Sequence, residues 1–65
     1  MKIIVNGAER ELAAATLAEA LEALEYADAV VATALNGYFV PARLRAATPL
    51  AEGDRIEIVA PRPGG

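Results

Sequence analysis

The sequence reads as a small α+β domain: one mixed five-stranded sheet with one helix packed on one of its faces. Three observations carry that reading. Two Asn-Gly steps, Asn6-Gly7 and Asn36-Gly37, each follow a short apolar or β-branched run, the strongest local sign of a β-hairpin. One stretch only, around Leu17 to Leu24, carries apolar residues at helical spacing. A last run, Arg55-Ile56-Glu57-Ile58-Val59, alternates polar and apolar as a half-buried strand does. One helix can cover one face of one sheet, which makes two layers.

In chain order, Lys2 to Val5 is apolar and β-branched and predicts an interior strand. Asn6-Gly7 returns it into Ala8-Glu9-Arg10-Glu11-Leu12, whose charges suit a sheet edge because they discourage pairing with another chain. Thr16 followed by Glu19 has capping-box spacing. Leu17, Ala20, Leu21 and Leu24 then share a helix face, with the end expected near Glu25-Tyr26. Glu19, Glu22 and Glu25 lie on a different stripe, which reads as solvated surface rather than a metal or acid–base site.

Val30 to Leu35 predicts the next strand, and Tyr38-Phe39-Val40 its return. Val31, Thr33 and Leu35 fall on one face of that strand, Ala32 and Ala34 on the other, so both faces are largely apolar. With a single helix available, one sheet face stays uncovered and is read as reserved for a partner. Pro41 stops the strand. Ala42 to Pro49 is expected to be irregular, with Arg43 and Arg45 as ordinary solvated arginines and Leu50 plugging the core. The expected core is Ile3, Val5, Leu12, Leu17, Leu21, Leu24, Leu35, Val40, Leu50, Ile56 and Ile58.

The domain is taken as 1–60, followed by 61–65 as an extended, flexible tail. Pro61-Arg62-Pro63-Gly64-Gly65 has nothing a packed domain needs: glycines offer no side chain to bury and lose the most entropy on ordering. At a usage of about 7%, a chance Gly-Gly at one terminus is roughly a one-in-two-hundred event. The prolines fix φ and remove donors, giving a narrow, semi-stiff stalk that ends in an unhindered carboxylate and is able to thread into another protein's cleft.

Composition narrows the function. The chain of 65 residues holds no cysteine and no histidine, which removes disulfides, a thiolate nucleophile, the usual zinc sites and an imidazole base. A net charge of −3 argues against a nucleic-acid partner. No apolar run approaches the roughly 20 residues of a membrane span, and the apolar run after Lys2 is too short for a signal peptide; a cytoplasmic protein is expected.

Leu35-Asn36-Gly37-Tyr38-Phe39-Val40-Pro41, then Thr48-Pro49-Leu50-Ala51-Glu52-Gly53-Asp54-Arg55-Ile56-Glu57-Ile58, then Gly64-Gly65, together resemble the bacterial sulfur carriers of thiamine biosynthesis, in the ubiquitin-like β-grasp superfamily. The resemblance spans nearly the whole chain. The Gly-Gly end is common to sulfur carriers, whereas Asn-Gly-x-x-Val-Pro and the short length favour the thiamine branch. The proline-rich Pro61-Arg62-Pro63 departs from some members and bears on how the tail bends inside its partners.

The resemblance implies a protein co-substrate rather than an enzyme. An E1-like adenylating enzyme would consume ATP to place AMP on the Gly65 carboxylate, and the carrier itself would bind no cofactor and no metal. Sulfur from a donor such as a cysteine desulfurase would then give a thiocarboxylate that feeds thiazole synthase. Gly64, Pro63, Arg62 and Pro61 would thread the partner's cleft, with Phe39, Leu44 and Val59 as candidates for the docking face. Three alternatives stay open: a molybdopterin-type carrier, a ubiquitin-like modifier with the same Gly-Gly end, and an interaction module without chemistry.

Overall fold

In the computed structural model, which describes residues 1–61, both Asn-Gly steps are hairpin turns. Strand β1 (Lys2–Val5) pairs antiparallel with β2 (Ala8–Glu11), and β3 (Ala32–Leu35) with β4 (Tyr38–Val40). The turn residues sit at positive φ, Asn6 at 51° and Gly7 at 85°, Asn36 at 51° and Gly37 at 88°, as the twist-matched type I′ hairpin demands. Strand β5 (Arg55–Val59) inserts between the hairpins, giving the order β2-β1-β5-β3-β4. It runs parallel to β1 and antiparallel to β3, so the five-stranded sheet is mixed, as expected. β1 is interior and β2 an edge, with every β2 residue exposed. The hydrogen bond from the Met1 ammonium to Glu11, 2.7 Å long, raises the pKa of the amine and lowers that of the carboxyl while fastening β1 to β2.

Helix α1 (Leu17–Ala23) covers one face. Thr16 caps it, its hydroxyl accepting from the Glu19 N–H at 3.2 Å. The reciprocal bond is displaced by one residue from the capping box: Glu19 accepts from the N–H of Ala15, at 2.8 Å, rather than from that of Thr16. The helix ends earlier than its apolar spacing suggests, because Glu25 turns left-handed at φ 67°. Tyr26 N–H then reaches back to the Leu21 carbonyl at 2.7 Å and Glu25 N–H to that of Glu22 at 3.0 Å, a Schellman closure with glutamate where glycine is usual.

Three further expectations are corrected. The third strand starts at Ala32 rather than Val30, and Val30 is exposed. Residues 42–47 are not irregular: Ala42–Ala47 forms a 3₁₀ helix that packs on α1. Pro41 fixes the entry at φ −68°, and its carbonyl accepts the Leu44 N–H at 2.9 Å. Such a helix has no 3.6-residue apolar period to betray it. Arg45 is not an ordinary solvated arginine either, since it is half-buried and bonded to β3.

Alternation sorts the sheet. Ile3, Val5, Val40, Ile56 and Ile58 point to the helix side and are buried with Leu17, Ala20 and Leu21. Leu12, Leu24, Leu35 and Leu50 pack around this centre half-buried. Ala20 enters the core although it was expected only on the helix face, and Thr33, 2% exposed, enters it as a polar residue. Its hydroxyl is satisfied by Val40 and Arg45, and no buried side-chain nitrogen or oxygen among the described residues lacks a partner.

Candidate functional site: the end of β5 and the open face beside it

Strand β5 is the central strand, and the tail follows directly from it. Its ties to both hairpins therefore decide how the tail is rooted. On the β3 side the register runs Leu35 with Ile56, Ala34 with Glu57, Thr33 with Ile58 and Ala32 with Val59, to the strand's last residue. On the β1 side the paired residues stop at Val5 with Ile56, where β1 turns into its hairpin. The Asn6 side chain carries the pairing further. Its Oδ1 accepts from the Ile58 N–H at 2.8 Å, and its Nδ2 donates to the Ile58 carbonyl at 3.1 Å.

Asn36 holds the other end of the strand. Its Oδ1 accepts from the Arg55 N–H at 2.9 Å and its Nδ2 donates to the Asp54 carboxylate at 3.1 Å. The sequence marks both asparagines as turn formers; their second task, holding a strand far along the chain, was missed.

The helix-free face is divided in two. Around β1 and β2 it is charged, with Lys2 and Glu9 paired at 3.8 Å. Around β3, β4 and the end of β5 it is apolar: Ala32, Ala34, Phe39 and Val59, with Glu57, line a shallow depression. Phe39 is 70% exposed and Val59 65%, so neither is needed to seal the core. The register places Phe39 opposite Ala34, and Ala34 opposite Glu57, in one row across the sheet. Val59, next to that row, stands two residues before Pro61.

Two of the three docking candidates, Phe39 and Val59, thus share the patch at the root of the tail. Leu44 lies on the 3₁₀ helix and does not line this depression. Pro61 is described and exposed; Arg62, Pro63, Gly64 and Gly65 lie outside the described residues. Tyr38 and Val30 are exposed apolar residues outside the set of docking candidates.

Among the described residues no group of His, Cys, Asp and Glu is placed to hold a metal, and no helix is long and apolar enough to cross a membrane. The arrangement is a five-stranded sheet that presents an apolar patch beside the end of β5, from which the glycine-ended sequence continues.

No curated protein sequence matches the chain significantly. The chain is similar in structure to the crystal structure of a thiamine biosynthesis protein (ThiS) from Geobacter metallireducens. The TM-score is 0.82 with 32% sequence identity, and the match covers 100% of both chains. A family model, the ThiS family, matches residues 3–65, nearly the whole sequence. With its mixed sheet, the α-helix packed on it and its Gly-Gly end, the chain belongs to the ThiS family.

Proposed function

We propose that this protein is a sulfur carrier of thiamine biosynthesis, with Gly65 as the residue that bears the sulfur. The observation that carries the reading is the reach of the family match, which runs through Gly64 and Gly65. Its likeness over the full chain to a protein of thiamine biosynthesis supports the pathway.

A carboxylate resists nucleophiles, because its charge is delocalised and oxide is a poor leaving group. In the proposed cycle a Gly65 carboxylate oxygen attacks the α-phosphorus of ATP in an E1-like partner, and pyrophosphate leaves. Sulfide, or the outer sulfur of a cysteine-desulfurase persulfide, then attacks the acyl carbon and AMP leaves. Sulfide gives the thiocarboxylate directly; a persulfide gives an acyl disulfide that a second thiol cleaves. On thiazole synthase the sulfur bonds to the acceptor's carbonyl carbon, the acyl C–S bond breaks, and the acceptor's oxygen passes to the acyl carbon, so the carrier returns as the carboxylate.

The chain's own contribution is access and aim. Gly64 and Gly65 pass where a Cβ would meet the walls of a closed adenylation site. Pro61 and Pro63 reduce the entropy lost on docking. Phe39 and Val59 supply the apolar contact at the tail's root.

The test is intact mass after incubation with ATP, sulfide and the adenylating enzyme. A gain equal to one oxygen exchanged for sulfur, absent when Gly65 is deleted, supports the carrier. An unchanged mass, with the enzyme active on another carrier, overturns it.

A further inference from the structure

We propose that Asn36 is a self-modification site of the folded protein, deamidating through attack by the Gly37 nitrogen, while Asn6 in the same Asn-Gly setting is spared. The inference is independent of the carrier reading above. Asparagine before glycine is open to this reaction because glycine puts no side chain in the way of ring closure. The Gly37 N–H gives its proton to hydroxide, and its nitrogen bonds to Cγ of Asn36 as the carbonyl electron pair moves onto Oδ1. That pair returns, the Cγ–Nδ2 bond breaks and, with a proton from water, ammonia leaves. Water then opens the cyclic imide at either carbonyl and leaves aspartate or isoaspartate at position 36. One water is consumed and one ammonia released, with no oxidation or reduction.

The two steps have the same local geometry. Asn6 and Asn36 both stand at φ 51°, with Gly7 at 85° and Gly37 at 88°. Neither glycine has a neighbour within 4 Å of where a Cβ would stand. Both side-chain amides are held on β5, and ring closure needs the amide released and turned over the following peptide. The difference lies in what release exposes. Asn6 gives up the N–H and the carbonyl of Ile58, a core residue 6% exposed, and both bonds are partly buried. Asn36 gives up the Arg55 N–H and the Asp54 carboxylate, and both of these bonds are exposed. Water replaces the amide at Arg55 and Asp54, whereas polar groups of Ile58 left in a partly buried place bear a desolvation penalty. The Asn6 amide is therefore released about ten times less often.

The product acts on the same hairpin. A carboxylate at position 36 has no donor for Asp54 and meets it as a like charge. Isoaspartate also adds a main-chain carbon to a two-residue turn, which the type I′ geometry does not accommodate. The damage falls on the turn that leads into β4 and Phe39.

The test is peptide mass mapping of the full chain after incubation in mildly alkaline, heavy-oxygen water, once folded and once unfolded in urea. Protection at each asparagine is its rate in urea divided by its rate in the folded protein. Asn6 should be protected at least about tenfold more than Asn36. In hydrogen exchange, corrected for sequence, the Arg55 amide should exchange about tenfold faster than that of Ile58. Equal protection, greater protection at Asn36, or conversion of neither asparagine in the folded protein overturns the proposal. An Ile58 amide that exchanges as fast as that of Arg55 overturns it too, because the two clamps would then open equally often.

Discussion

The Nε of Arg45 donates to the Oγ1 of Thr33 at 3.0 Å, and that hydroxyl donates in turn to the Val40 carbonyl at 2.8 Å. A second guanidinium nitrogen of Arg45 donates to the Val31 carbonyl at 2.7 Å. The fork thus joins the 3₁₀ helix to the start of β3 through a hydroxyl that is itself in the core.

Removing one partner of this chain leaves a neighbour unsatisfied. Thr33→Val keeps the shape but takes away Oγ1, leaving the Arg45 Nε without that acceptor. It should cost about 1–3 kcal/mol in a denaturant titration. Arg45→Lys should recover little of what Arg45→Ala loses, because an ammonium does not reproduce the planar fork to two acceptors. Full rescue by lysine would mean that the charge, rather than the fork, matters.

Glu25 ends α1 at φ 67°, a conformation that costs a residue with a Cβ about 1 kcal/mol or more. Glu25→Gly should therefore raise stability by about 0.5–1 kcal/mol, the gain being reduced by glycine's greater freedom in the unfolded chain. A rise in Tm, with the Tyr26–Leu21 backbone bond retained in hydrogen exchange, is the expected outcome. A fall would show that the Glu25 side chain makes a stabilising interaction that offsets its backbone strain.

These two sites explain what the sequence could and could not disclose. The hairpins were legible because the φ requirement of an Asn-Gly turn is local and few residue pairs meet it. The β5 strand, Ile56 and Ile58 were legible because alternation reports one buried face. Asn6 on Ile58 and Arg45 on Thr33 were not, because each bond joins residues far apart in the chain and depends on the sheet order. The left-handed Glu25 was hidden for a different reason: packing of Tyr26 and Leu21 overrides the preference for glycine. At the candidate site, the Gly-Gly end was readable by composition alone. The patch was readable only as one helix too few for two sheet faces, which is why Phe39 and Val59 were separable from Leu44 only in three dimensions.

The patch at the tail's root gives a prediction that separates docking from folding. Phe39→Asp places a charge on an exposed side chain, so Tm should change little. Loss of an aromatic anchor from an interface should raise KM for the adenylating enzyme by about tenfold or more. Val59→Asp should act in the same direction, and Leu44→Asp, off this depression, should act less. A Phe39→Asp protein that melts early would mean that Phe39 supports the core. Equal effects at Leu44 and Phe39 would extend the docking face onto the 3₁₀ helix.

The tail gives the sharpest separation between a carrier and an interaction module. One alanine added after Gly65 leaves residues 1–61 untouched, so fold, Tm and docking through Phe39 should be those of the wild type. It nevertheless moves the carboxylate by one residue, about 3.5 Å, and puts a Cβ beside the reacting carbon. Positioned chemistry tolerates far smaller errors, so the rate of sulfur loading should fall by at least about a hundredfold. Gly64→Ala should slow loading in the same sense while keeping the carboxylate at its original place in the chain, which tests bulk separately from length. Binding to the adenylating enzyme, followed in competition with the wild type, should persist in both variants because the patch on the sheet is unchanged. Variants that load sulfur at the wild-type rate would remove the chemistry from the glycine end and leave the apolar face as the functional part of the molecule.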